Sequence, residues 1–222
     1  MGIRNTIAGL VAATGLVAGA AFAAPTAGAQ ESAPEPAPST SLAEVLLSDG
    51  DTFDRNSYDF DIVTQAVLAV LAEKPDSPVG LLTRGDVPLT AFVPNDRAFW
   101  ALVGDLTGKY YGFFTVKEQK VFDAVASLGV DTIETVLLYH VVPGATIDSD
   151  TAANVPRGTL LETAQGGDIE VNPLVPAWKW VVLGDQDPND WDPFLVPSKL
   201  DINKGNPQIA HGIAFVLRPA DL

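Results

Sequence analysis

The chain has 222 residues, with 28 acidic and 13 basic side chains, two histidines and no cysteine. A net charge of −15 repels phosphate backbones and anionic lipid headgroups, which sets nucleic acid aside as a partner. Without cysteine there is no disulfide and no thiolate chemistry, so the fold must come from packing alone.

In chain order, Arg4, the small apolar run from Thr6 to Ala24 and the site Ala27-Gly28-Ala29 predict a secretory signal peptide over 1–29. Ala21-Phe22-Ala23 offers an alternative cleavage point. No later apolar run is long enough to span a bilayer, so no membrane insertion is expected after cleavage. Residues 30–41 (QESAPEPAPSTS) are rich in Pro, Ala and Ser and read as an extended linker. A single domain over 42–222 remains, long enough to bury its own core.

Ser41 and Glu44 have the spacing of a capping box at a helix start. Ile62, Val63, Ala66, Val67, Val70 and Leu71 recur at helical period, and Pro75 ends that helix. Val87 to Pro94 reads as a strand with Leu89, Ala91 and Val93 on one face, followed by a short helix capped by Asn95. Thr115 with Glu118, and Asp131 with Glu134, predict capping boxes for two further helices, the first stopping at Gly129. Beyond Pro143 the pattern changes to short strands: GTLLET, DIEVNP, WKWVVL, LVPSKLDI and IAHGIAFVL. Helices first and a largely antiparallel sheet second make an α+β domain.

Three segments carry a family resemblance. Thr90-Ala-Phe92-Val-Pro94-Asn-Asp96-Arg-Ala-Phe99 resembles the first conserved box of the fasciclin-type adhesion domain, a strand running into a short helix. Leu138-Tyr139-His140-Val141-Val142-Pro143-Gly144 resembles its tyrosine–histidine motif. Ile209-Ala-His211-Gly-Ile213-Ala-Phe215-Val216-Leu217-Arg-Pro219 is similar to its second conserved box, a closing strand. Pro207-Gln208 stands where the family usually has Asn-Gly, Ala214 replaces an Asp, and insertions are expected at Gly104–Phe114 and Val175–Phe194. The resemblance implies a fasciclin-like, wedge-shaped antiparallel β-sandwich with helices packed on it. It also implies a secreted, non-catalytic binding or adhesion module, which would engage a protein or polysaccharide at the cell surface or extracellular matrix.

The individual residues leave alternatives. Apolar neighbours make His140 a neutral core histidine with hydrogen-bonded nitrogens, while the resemblance implies a partner contact at Tyr139 and His140. Asp201 and Ile202 lie close to another position that the resemblance associates with partner recognition; a strand-end acid before a core residue is the other reading. His211 shares a strand face with Ile209 and Ile213 and reads as core. Asp185, Asp187 and Asn189 alternate like the first ligands of a calcium loop, but Asp190 stands in place of the required Gly and Val196 in place of the bidentate Glu. A weak calcium site and a solvated acidic loop anchored by Trp191 and Phe194 both fit. Two histidines without metal-ligand spacing predict no transition-metal site, and no cofactor is expected. Nucleophile-elbow and phosphate-loop motifs are absent. An extracellular carboxylate-based hydrolase of wall polysaccharide is the alternative, because 28 acids offer many acid–base pairings. The Ala-rich signal suits bacterial export. With no apolar tail after Pro219, a secreted protein, extracellular or loosely surface-associated, is expected.

Overall fold

The computed structural model describes residues 39–49, 52–108 and 117–221. The expected signal peptide, most of the expected linker, Thr115 and most of the expected 104–114 insertion lie outside the described residues. Ser41 opens α1 (Leu42–Asp49) with the reciprocal bonds its spacing predicts: the Ser41 N–H donates to Glu44 at 2.8 Å, and the Glu44 N–H donates to the Ser41 hydroxyl at 3.2 Å. The second helix, α2 (Asp61–Glu73), stops two residues before Pro75 as expected. Asn95 caps α3 (Asp96–Thr107), accepting from the Ala98 N–H at 3.0 Å.

The other two capping boxes differ. Helix α4 (Glu118–Ala126) starts at Glu118, whose carboxylate accepts instead from the Asp54 N–H at 2.7 Å. Helix α5 (Val130–Tyr139) starts after Gly129, which holds a φ of 87° suited to glycine. Asp131 is already inside that helix, and both Asp131 and Glu134 turn to the ammonium of Lys74 at the end of α2. The long-range ion pairs outcompete the local cap.

Two three-stranded sheets follow. The first has β1 (Leu89–Pro94) in the middle, antiparallel to β2 (Val141–Pro143) and parallel to β6 (Gln208–Ile213). The second is an antiparallel meander of β3 (Thr159–Glu162), β4 (Asp168–Val175) and β5 (Trp180–Gly184). The predicted strand LVPSKLDI is not one: it forms isolated bridges at Leu195 and Ile202 around a 3-10 turn at Pro197–Lys199. A short helix, α6 (Ser149–Asn154), lies in a stretch to which the sequence assigned no element, capped by Asp148.

All six positions of β1 and of β6 are buried, because the first sheet is covered on both faces. Leu89, Ala91 and Val93 face a large core shared with α1 to α5. Phe92, Val142 and Ile213 face a second core with Ile169, Val171, Val181 and Leu183 of the meander. Alternation along β1 thus divides apolar from apolar, the pattern of a central strand.

A candidate ligand-binding cleft

The first motif residues are structural. Thr90 is fully buried; its hydroxyl donates to the Ala145 carbonyl and accepts from the Ile147 N–H, both at 2.8 Å. Phe92 and Phe99 are core side chains on opposite faces of the first sheet, and Pro94 ends β1. Asp96 accepts from the Ile62 N–H at 2.9 Å, tying the starts of α3 and α2 together.

Tyr139 and His140 are buried, at 0% and 4% exposure, so neither presents a surface to a partner. The Tyr139 hydroxyl donates to the Asp168 carbonyl at 2.6 Å, and burial pushes its pKa up to about 12. His140 donates from Nδ1 to the Val136 carbonyl at 2.7 Å and accepts at Nε2 from the Leu217 N–H at 3.0 Å. Burial lowers its pKa to about 4, which leaves it neutral at physiological pH. The pair joins the end of α5 to the meander on one side and to the segment after β6 on the other.

His211 is equally enclosed. It donates from Nε2 to the Ile147 carbonyl at 2.8 Å and accepts at Nδ1 from the Asp201 N–H at 3.2 Å, and burial lowers its pKa. Asp201 has a φ of 54° and accepts from the Ser149 N–H (2.7 Å), the Ser149 hydroxyl (2.8 Å) and Lys204 (3.0 Å). Against its partial burial, those donors hold its pKa down to about 2. Ile202 bridges Ala210 and packs on the large core. Thr90, Ile147, His211, Asp201 and Ser149 form one chain of bonds that fastens residues 145–149 to the first sheet.

The acidic loop is also internally committed. Asp185 accepts from the backbone N–H groups of Asp187 and Arg218, and Asp187 from that of Asn189. Arg218 pairs with Asp187 at 3.1 Å, Asp190 at 2.9 Å and Asp105 of α3 at 2.9 Å. A cation side chain therefore occupies the place where calcium was considered. Among the described residues, carboxylate oxygens gather within 4.8 Å elsewhere: Asp54, Asp59 and Asp61, and Asp59, Asp96 and Glu118.

That Arg218 knot forms one wall of a cavity of about 690 Å³, a size typical of ligand pockets. Its lining is apolar and aromatic: Tyr58, Trp100, Trp191, Phe194 and Phe215 contribute, with Arg97 and Asp105 on α3. Phe194 packs edge-on against Phe215 at 6.1 Å and tilts against Trp180 at 6.4 Å. Trp191, expected as an anchor, is 78% exposed, and Tyr58 is 55% exposed. An exposed tryptophan in an otherwise polar loop was the sequence signal for this cleft. Tyr58, Phe215 and Arg218 carried no signal, because only the return of the chain past α3 assembles them. Flat aromatic faces beside carboxylates can stack on a ligand and accept its hydrogen bonds.

Residues 70–174 match the family model described as the Fasciclin domain. No curated protein matches the chain. Among solved structures, the chain is similar to a FAS1 domain pair from the insect cell adhesion molecule Fasciclin I, at 16% identity and a TM-score of 0.50. The similarity covers 82% of this chain and 51% of that one, so the chain spans about half the length of its structural relative. Sequence motifs, family match and fold agree: residues 70–174 carry a Fasciclin domain, set in a fold similar to that of a FAS1 domain.

Proposed function

We propose that the protein is a secreted, non-catalytic binding module that holds a polysaccharide segment at the cell surface or in the extracellular matrix through the aromatic cleft. The observation that carries this reading is the exposure of Trp191 and Tyr58 at the mouth of an apolar cavity. Exposing large aromatic surface to water is unfavourable, and aromatic anchors of this kind dominate binding energy where they are used. The net charge of −15 favours a neutral over an anionic glycan. The Tyr139–His140 and Asp201–Ile202 pairs support the reading indirectly, as parts of the rigid frame behind the cleft.

The hydrolase alternative finds little support in the cleft. Burial raises its lining acid Asp190 to about 7, but Asp105 and Asp190 both pair with Arg218, whereas acid–base catalysis needs a second carboxylate free to act as base or nucleophile. Affinity electrophoresis in gels containing neutral polysaccharides tests the proposal. Retardation should appear with at least one polymer and weaken about tenfold or more in Trp191→Ala and Tyr58→Ala, with no release of reducing ends. A folded protein that no neutral polymer retards would sink the glycan reading.

A further inference from the structure

Three acids meet where three helices begin. Asp59 lies two residues before α2, Asp96 opens α3 and Glu118 opens α4. Backbone bonds fix the arrangement: the Asp96 N–H donates to the Asp59 carbonyl at 3.1 Å, the Ile62 N–H to Asp96 Oδ1 at 2.9 Å, and the Asp54 N–H to Glu118 Oε2 at 2.7 Å. These bonds engage one carboxylate oxygen of Asp96 and one of Glu118, and only the backbone carbonyl of Asp59. Asp96 Oδ2, Glu118 Oε1 and Asp59 Oδ1 are buried without a hydrogen-bond partner, in residues 0%, 1% and 8% exposed.

Buried polar atoms are nearly always satisfied, and buried carboxylates are paired or bind metal. Here one oxygen from each acid lies within 4.8 Å of the other two. Burial, followed by a side-chain hydrogen bond that protonated Asp96 makes with Asp59, pushes Asp96 up to about 9, and burial raises Glu118, so a proton shared by Asp96 and Asp59 is what the trio holds when no cation is present. The helix starts supply partial positive charge, but of their N–H groups the Ile62 N–H is committed to Asp96 Oδ1 and the Asp96 N–H to the Asp59 carbonyl. The set lacks a full positive charge at its centre.

We propose that Asp59, Asp96 and Glu118 form a buried calcium site, with Asp54 at its entrance. The donors are all hard oxygens, which suit calcium and not zinc or copper. A calcium–oxygen distance of about 2.3–2.6 Å lets one ion reach three oxygens mutually spaced up to about 4.5 Å, so the trio needs to close by a few tenths of an ångström at most. Asp54, Asp59 and Asp61 form a second close triplet that shares Asp59 and includes the exposed Asp54, giving the ion a carboxylate-lined way in. The site is separate from the acidic loop, and it adjoins the cleft in sequence: Tyr58, Asn95 and Arg97 of the lining flank Asp59 and Asp96.

The test is a thermal melt of the full chain, stripped with chelator and then titrated with calcium chloride, alongside Glu118→Gln and Asp59→Asn. Calcium at a hundredfold excess over Kd should raise the Tm of the wild type by about 5–10 °C. Both variants should lose at least about tenfold in calcium affinity. Without calcium they should melt no lower than the wild type, because one uncompensated buried charge is gone. Terbium emission excited through tryptophan gives a second readout, since Trp100 lies one turn beyond Asp96 on α3. It should fall in both variants. An unmoved wild-type Tm up to about 10 mM calcium overturns the proposal and leaves a proton-sharing acid cluster. An equal calcium shift in the wild type and both variants overturns it too, by placing the ion elsewhere.

Discussion

His140 and His211 are held by backbone groups at both ring nitrogens, and in opposite tautomers: Nδ1 donates in the first and Nε2 in the second. Each accepts an N–H bond that protonation would destroy. For His140 the folded pKa is about 4 against an ordinary 6.5. The unfolded chain therefore binds the proton first. The stabilising contribution of His140 is complete above pH 6.5 and is lost as pH falls towards 4, on the order of 3 kcal/mol in all. NMR should show the His140 ring signals unmoved between pH 8 and 5, and His140→Gln should flatten the acid side of the stability profile. A ring titrating near pH 6.5 would contradict the buried bonds. The sequence revealed the burial of both histidines through their apolar neighbours. It did not reveal their partners, because Leu217 and Ile147 lie 77 and 64 residues away. Gln208 is a similar case at a position where the family resemblance broke down. Its side chain accepts from the Leu42 N–H and donates to the Leu81 and Arg84 carbonyls, each at 2.8 Å.

Among the elements, those with a strong period or a start signal were legible: α1 to α5, β1, the three strands of the meander and β6, although the caps of α4 and α5 were not. Helix α6 was not, because six residues of SDTAAN are too short to show a period. LVPSKLDI was misread because its apolar residues alternate while Pro197 forces a turn and Asp201 adopts a positive φ. That segment presses on β6 at Gly212, where an added Cβ would lie 2.6 Å from Lys199 Cβ and 3.3 Å from the Phe60 ring. Lys199 Cβ is too near its own backbone to swing aside. Gly212→Ala should therefore cost about 1–3 kcal/mol, read as a lower denaturant midpoint with an unchanged m-value. A neutral substitution would mean that the 197–199 turn yields easily.

At the scale of the whole molecule, 28 acids against 13 bases make self-repulsion a standing cost of the folded state. Raising sodium chloride from about 0.02 to 0.5 M shortens the Debye length several-fold, and the Tm should climb by a few degrees. A flat response would show that the surface charge is already locally balanced. The pairing of β1 with β6 is the feature least visible in sequence, since a parallel register carries no turn signal and 113 residues (95 to 207) separate the two strands. Its consequence lies in time. At about 5–20 residues per second, a ribosome needs roughly 6 to 23 s to make the chain between those strands. Throughout that interval β1, buried at all six positions in the finished fold, waits with one edge bare and both its cores unfinished. A chaperone has its natural opening there, and a truncated chain its natural route to aggregation.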